Sequence, residues 1–182
     1  RSIYFDGVSD YINLGDNVLY NSSKPVTVSF WAHLDSYSVV YPVVLRLKTE
    51  QSTGFIFFYC ASGGYAGLNF GSNGNFVRLK TAGNIAPSLA GVWKHYIMVY
   101  DGVSRTSESS YKLYLDGVEQ SLVTSESFSA VPQVNNISTP GASQQFKGSI
   151  SELKIEKSLI LFDLPFLLLL SFMVLFFFYK KK

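Results

Sequence analysis

The 182-residue chain has few of the residues from which covalent and metal-bound scaffolds are built. It contains one cysteine, Cys60, and two histidines, His33 and His95. A single cysteine excludes an internal disulfide and a cysteine-based zinc site, and two histidines leave little for a transition metal. Lysine and arginine total 15 against 13 for aspartate and glutamate, with the excess at the carboxyl-terminal end. The body of the chain therefore lacks the basic surface that nucleic-acid binding requires.

Residues 1–157 also lack the 3.6-residue apolar period of an amphipathic helix. They show period-two alternation and short apolar runs, separated by turn residues such as Gly63-Gly64 and Asn73-Gly74. Asp-Gly-Val occurs three times and predicts turns of one kind. This pattern is typical of an all-β sandwich or barrel. The predicted strands cover 3–5, 11–14, 25–34, 43–47, 54–60, 67–70, 76–79, 93–100, 111–115 and 146–155.

The carboxyl-terminal tail, residues 158–182, has a different composition. The run 159–179 is almost wholly leucine and phenylalanine, and three lysines follow it. As a helix its 21 residues would be roughly 31 Å long, close to the hydrocarbon thickness of a bilayer. The tail is therefore predicted to be a hydrophobic transmembrane helix. The alternative is that A/T-rich or frame-shifted DNA encodes this run and that the domain is secreted.

Several short motifs follow one another along the body of the chain. They are Phe-Asp-Gly at 5–7 with Asp-Tyr at 10–11, the strand 26–32 with Trp31, Trp-x-His at 93–95, Tyr-Asp-Gly at 100–102, Leu-Tyr-Leu-Asp-Gly-Val at 113–118 and the closing strand 146–155. Their order resembles the laminin-G-like domains of the concanavalin A-like lectin and glucanase family. The resemblance implies that residues 1–157 form a two-sheet antiparallel jelly-roll sandwich. It also implies that the terminal strands pair, bringing Phe5 and Ile12 close to Leu153 and Ile155.

Many members of this family hold a structural calcium ion, and the resemblance makes Asp6 and Glu152 the expected ligands. Calcium takes six to eight oxygen ligands, several of them carboxylates. The family's closing strand commonly reads Ile-Asp-Glu, whereas this chain has Ser151 between Ile150 and Glu152. The missing carboxylate argues against the ion.

Catalysis is not expected. The sandwich glucanases carry Glu-x-Asp-x-x-Glu on one strand, and this sequence has no such pattern. Its nearest pair, Glu152 and Glu156, would lie about 13 Å apart on an extended strand, too far for a glycosidase. A glycoside hydrolase is therefore the least favoured alternative.

The histidines and tryptophans admit two interpretations. Trp93, His95, Ile97 and Val99 alternate, and this set is predicted to face inward, with His95 as a buried structural histidine. His33 shares a face with Trp31, Ser29 and Thr27, as residues two apart in a strand do. Packing in the core or on a sheet face is the favoured role of both tryptophans, with stacking on sugar rings as the alternative.

The family resemblance predicts a non-catalytic extracellular recognition module that binds a glycan or a cell-surface protein. Tyr37, Tyr41 and Tyr65 are the candidate ligand-binding aromatics, although they would also serve to cover the sandwich edges. The predicted location is the outer face of a membrane, anchored through the tail. The alternative is a structural domain of a larger surface or viral protein that needs no ligand.

Overall fold

The described strands form two antiparallel sheets. The computed structural model describes residues 1–15, 24–35, 43–48, 54–60, 66–72, 75–83, 85, 89–104, 107–125, 136–137 and 146–156. A short 3₁₀ turn at Glu108–Ser110 precedes β9. The strands are β1 (Ser2–Asp6), β2 (Ile12–Asn13), β3 (Val26–Leu34), β4 (Val43–Lys48), β5 (Gly54–Cys60), β6 (Ala66–Ser72), β7 (Asn75–Thr81), β8 (Trp93–Tyr100), β9 (Tyr111–Leu115), β10 (Val118–Gln120), β11 (Leu122–Ser125), β12 (Asn136–Ile137) and β13 (Lys147–Glu156).

The strand order agrees with the predicted all-β architecture. One sheet has six strands in the order β1-β13-β3-β8-β9-β10, and the other has seven in the order β11-β7-β6-β5-β4-β12-β2. Every neighbouring pair within the two sheets is antiparallel. Two antiparallel sheets with this connectivity are consistent with a jelly roll, and the predicted all-β sandwich is confirmed for the described part of the chain.

The hydrophobic core draws side chains from both sheets. Phe5, Phe30 and Phe146 are almost fully buried on the six-stranded side, and Val44 and Leu79 are buried on the seven-stranded side. Burying a side chain of this size contributes about 1.5 to 3 kcal/mol. Phe5 and Phe146 meet edge to face, with ring centroids 5.9 Å apart. Apolar burial between two sheets is what holds a sandwich together.

The terminal strands pair as predicted, and Ile12, Leu153 and Ile155 pack against the core cluster that contains Phe5, but these residues are not strand partners. β1 lies against β13 with Phe5 opposite Gly148, five residues before Leu153. Ile12 belongs to the seven-stranded sheet, where it pairs with Ile137. The sequence motifs identify which strands are terminal, but strand register depends on the bulge and turns between them.

The predicted inward set on β8 is wrong for Trp93 and His95, whereas Ile97 and Val99 of the same set are buried but do not belong to the core cluster. The core-facing residues are Tyr96, Met98 and Tyr100, whereas Trp93 is 42% exposed and His95 is half-buried. Alternation predicts that side chains divide into two sets, but it does not say which set faces the partner sheet. Both sets on β8 are rich in apolar residues, so the sequence pattern leaves this choice open.

The three Asp-Gly-Val turns are of two kinds. At 6–8 and 101–103 the aspartate Oδ1 accepts a 2.7 Å hydrogen bond from the backbone N–H of the valine. At 116–118 the aspartate turns away from the valine and accepts a hydrogen bond from the backbone N–H of His95 on β8. The expectation of one turn type is therefore wrong for the third occurrence. There the Asp-Gly pair forms the tight link of the β9–β10 hairpin, with both residues at positive φ.

The predicted hydrophobic helix at 159–179 lies outside the described residues and stays a prediction, as does the domain boundary at residue 157. Among the residues that the structure describes, no helix has the length and apolar character to span a bilayer.

Candidate functional site

An exposed group of rings lies on the outer face of the six-stranded sheet, the face turned away from the core. Trp31 on β3 is opposite His95 on β8, and His33 is opposite Trp93. The Trp31 and His95 rings stack with centroids 4.9 Å apart and an interplanar angle of 22°. The His33 and Trp93 rings are tilted at 55° with centroids 5.7 Å apart. We call these four residues, together with Tyr4, the outer aromatic patch.

Alternation along the two strands places this patch outside. Ala32 and Leu34 on β3 are buried in the core, so the residues between and before them point away from it. The two indoles remain accessible, with Trp31 37% and Trp93 42% exposed. They are diagonal neighbours across β3 and β8, about 7 to 8 Å apart at their backbones. Exposed aromatic side chains grouped in this way are typical of interaction sites.

A carboxylate links two members of the patch. The Tyr4 hydroxyl donates a 3.0 Å hydrogen bond to Oδ2 of Asp35, and Nδ1 of His33 lies 3.2 Å from Oδ1 of the same side chain. The hydrogen bond to Asp35 raises the pKa of Tyr4, which keeps the phenol a hydrogen-bond donor. Asp35 itself is exposed at the end of β3. The arrangement fixes one acceptor group beside the rings.

A second carboxylate lies on the other side of the patch. Asp116 accepts hydrogen bonds from Nζ of Lys94 at 2.7 Å and from the backbone N–H of His95 at 2.9 Å. Partial burial acts to raise the pKa of Asp116, but the hydrogen bonds from Lys94 and His95 outweigh it and the pKa is lowered. The Lys94 cation is therefore already paired with an ionised carboxylate.

On β13, short side chains lie next to the rings of the patch. Ser149 lies between Tyr4 on β1 and His33 on β3, and Ser151 is opposite Trp31. The hydroxyl of Ser151 donates a 3.0 Å hydrogen bond to the backbone oxygen of the first residue. Because serine is short, the β13 side of Trp31 has no bulky neighbour in the register. The residue that departs from the family's Ile-Asp-Glu motif is thus the one beside this indole.

The pKa of the His95 imidazole is lowered. Burial lowers its pKa below the ordinary value near 6.5, and the negative charges of Asp116 and Glu152 only partly offset this, while Lys154 adds to the lowering. The imidazole that stacks on Trp31 is therefore neutral at pH 7.

We expect this histidine to make the folded chain less stable in mild acid. Below pH 6.5 the unfolded chain binds a proton at this residue more readily than the folded chain, so stability falls as pH drops through 6.5 toward the lowered pKa. His95→Gln removes that contribution. Urea unfolding of both chains at pH 5 to 8 tests this. A difference in unfolding free energy that is constant over this range would contradict it.

The predicted calcium ligands lie apart. Oδ1 of Asp6 accepts hydrogen bonds from the backbone N–H groups of residues 8–10 at 2.7, 3.0 and 3.3 Å, and those from Ser9 and Val8 lower its pKa. Asp6 is opposite Lys147, five residues before Glu152, so the register separates the two carboxylates by roughly 16 Å. Glu152 is exposed in the bulge of β13 at φ 53°.

These two residues therefore do not fit one shared calcium ion. Within the described ranges, no group of three histidine, cysteine, aspartate or glutamate side chains is placed to hold a metal. Calcium binding by this chain stays a prediction.

The three tyrosines predicted to bind a ligand, Tyr37, Tyr41 and Tyr65, lie outside the described residues. Their role stays a prediction. The sequence reasoning did not identify Tyr4 and Asp35 as candidates. A signal for the second was present, because Trp31, His33 and Asp35 alternate along one face of a strand.

Comparison with solved structures finds the same fold in several proteins. The carbohydrate-binding module CBM40 of the Ruminococcus gnavus IT-sialidase, bound to α2,3-sialyllactose, superposes with a TM-score of 0.61 at 14% identity over 89% of this chain and 92% of that one. Domains LG4-5 of the mouse laminin α1 chain give 0.56 at 11% identity, covering 86% of this chain and 42% of that one. A pentraxin from Limulus polyphemus gives 0.54 at 14% identity, covering 87% and 76%.

At these identities the likeness is one of fold. Comparison with curated protein sequences finds no match. The family model described as the concanavalin A-like lectin/glucanases superfamily matches residues 6–160, which include most of the described strands. This chain belongs to the concanavalin A-like lectin/glucanases superfamily.

Proposed function

We propose that this chain is a non-catalytic recognition module that binds carbohydrate through the outer aromatic patch. The observation that carries the proposal is the exposure of Trp31 and Trp93 beside hydrogen-bonding groups on one sheet face. A sugar ring has an apolar C–H face that packs on an indole, and hydroxyls around its edge that need partners. The patch offers both kinds of contact.

The strand register places the stacking and hydrogen-bonding groups along one line of the sheet face. The two indoles lie on neighbouring strands at diagonal positions, so they suit successive sugar rings rather than one. Asp35 and Tyr4 lie at the end of the row formed by His33 and Trp93, where they would meet ring hydroxyls. The solved CBM40 module, which shares the fold, binds sialyllactose.

The carboxylates beside the patch support binding rather than hydrolysis. Asp35 lies four residues beyond Trp31 on β3, and Asp116 is opposite His95, two strands away from β3. With about 3.3 Å per residue and 4.8 Å between strands, their backbones are roughly 16 Å apart. Glycosidases hold their two carboxylates about 5 to 10 Å apart. Both groups are moreover already hydrogen-bonded within the protein.

The location is part of the proposal. We infer an extracellular domain, anchored to the membrane through residues 159–179, because the resemblance to laminin-G-like domains implies an extracellular module and the tail is apolar enough to insert. Reading the nucleotide sequence across residues 155–161 tests the anchor. A frame error there would leave a secreted domain.

A glycan array tests the function. The full chain is applied in a zwitterionic detergent without a sugar headgroup, since the apolar tail needs one and a glycosidic detergent would compete. Truncation of a central aromatic contact typically costs about 2 kcal/mol, so we expect Trp93→Ala to lower binding roughly 30-fold. Trp93→Phe keeps a ring at the same position and is expected to retain most of the signal.

Two results would contradict the proposal. One is an array on which no glycan binds, which would favour a structural domain without a ligand. The other is a glycan signal that Trp93→Ala leaves unchanged while the variant stays folded, which would move the site away from the patch.

A further inference from the structure

The acceptor in the outer aromatic patch has capacity left for a ligand. The Asp35 carboxylate has four lone-pair positions, of which the Tyr4 hydroxyl and the His33 ring occupy two. Its side chain is 29% exposed, so solvent or a ligand reaches the remaining two. An ionised carboxylate accepts hydrogen bonds only, and the hydroxyl groups of a sugar, together with the N–H of an acetamido group where one is present, donate to it.

The cations of the same sheet face are not arranged to hold an acidic ligand. Lys94 is paired with Asp116 at 2.7 Å, and Lys112 lies 3.6 Å from Glu119. His95 is neutral at pH 7 because of its burial.

The remaining lysines on this face do not converge. Lys147 lies opposite Asp35, whose backbone N–H donates a 3.1 Å hydrogen bond to the Lys147 carbonyl oxygen. Lys154 is seven residues further along β13, roughly 20 Å away. The described strands of the six-stranded sheet contain no arginine, and Arg1, which is exposed, directly precedes the edge strand β1. Recognition of a carboxylate or sulfate favours a convergent, often bidentate, arginine. The described part of this face has no such group beside the rings.

From these two observations we propose that the outer aromatic patch selects neutral oligosaccharides, whose hydroxyls donate hydrogen bonds to Asp35, over sialylated or sulfated ones. The inference rests on the proposed carbohydrate-binding function and deepens it by naming the ligand class. Asp35 is both the anchor for a neutral glycan and the charge that repels an acidic one. At contact distances on a protein surface such repulsion weakens binding on the order of tenfold at low salt.

Matched glycan pairs test the inference on the full chain. Lactose and N-acetyllactosamine are each compared with their 3′-sialylated and 6-sulfated derivatives, in the same sugar-free detergent. We expect a signal that depends on Trp93 and favours the neutral member of each pair about tenfold at 50 mM salt. The preference should narrow at 1 M salt, where the Debye length falls to about 3 Å.

Two variants separate the charge of Asp35 from its place in the fold. Asp35→Asn keeps the shape of the side chain but removes its charge. We therefore expect this variant to bind the neutral glycans more weakly and to prefer them over the acidic ones at least fivefold less. Tyr4→Phe leaves the charge and frees one carboxylate oxygen, so the preference should persist. Glu156→Gln, exposed at the end of β13 far from Asp35, is the charge-matched control and should change neither quantity.

The outcomes distinguish this inference from the proposed function. Equal or stronger Trp93-dependent binding of the acidic members would overturn the neutral preference and leave the carbohydrate function standing. A preference that Asp35→Asn does not alter would also overturn it. If neither these pairs nor any other glycan on the array gives a Trp93-dependent signal, both proposals fail together.

Discussion

Replacing Gly148 by alanine is expected to lower the free energy of unfolding by about 4 kcal/mol. Gly148 lies between β1 and β3 in the interior of the six-stranded sheet, opposite Phe5 on one side and Leu34 on the other. An added Cβ would overlap the carbonyl oxygen of His33 and come within 3.0 Å of the Phe146 ring. The φ angle of 146° adds strain for any residue with a side chain.

This loss would be large for a domain whose total stability is about 5 to 15 kcal/mol. The matched control is Gly117→Ala, in the β9–β10 turn. Gly117 also has positive φ, at 80°, but an added Cβ meets nothing within 4 Å. Gly117→Ala should therefore lower the free energy of unfolding by only about 1 kcal/mol, the cost of placing alanine at positive φ. Urea unfolding followed by circular dichroism measures both. Equal losses for the two variants would contradict the packing at Gly148.

The second large effect is expected for Phe146→Ala, at about 4 kcal/mol. Phe146 has no solvent exposure, and its ring packs edge to face against Phe5. Truncation removes most of the buried ring and leaves a cavity that the neighbouring strands cannot close, because β13 is held on both sides by β1 and β3.

Val103→Ala provides the comparison at a surface position. Val103 is 81% exposed, so its truncation should change stability by less than about 0.5 kcal/mol. Phe146→Leu keeps much of the apolar volume and should fall between the two. If Phe146→Ala unfolds at the same urea concentration as Val103→Ala, the core assignment of this ring is wrong.

Much of the fold follows from local patterns in the sequence. The strand 26–34 is recognisable from the period-two alternation of its apolar residues, and the described turns at 101–102 and 116–117 are recognisable from their Asp-Gly pairs. The ordered motifs around Phe5, Trp31 and Trp93 identify the superfamily that the family model matches. Local propensity and family motifs agree in this chain, so the architecture was predictable.

The inward face of β8 was not predictable from the same patterns. Ile97 and Val99 are apolar, and so are Met98 and Tyr96, which leaves the pattern without a preference. What decides the matter is the pairing with β3, where Trp31 aligns with His95. A choice that depends on long-range pairing cannot be made from one strand alone.

The candidate site was predictable only in part. The tryptophans and histidines stand out in the sequence, and His33, Trp31 and Asp35 share a face by alternation. The contact between Tyr4 and Asp35 joins residues 31 positions apart. It arises because β13 lies between β1 and β3, bringing both to the same end of the sheet. Sheet topology, rather than a sequence motif, assembles this group.

The tryptophans themselves allow the most direct test of carbohydrate binding at the outer aromatic patch. The chain has two tryptophans, Trp31 and Trp93, and both belong to the patch. In a ¹⁵N-labelled full chain their indole N–H groups give two resolved signals. The chain is titrated with the neutral glycan that binds most strongly on the array. Both indole signals are predicted to shift and to reach saturation at glycan concentrations that match the dissociation constant for the same glycan. A glycan that binds while both indole signals stay in place would contradict the account.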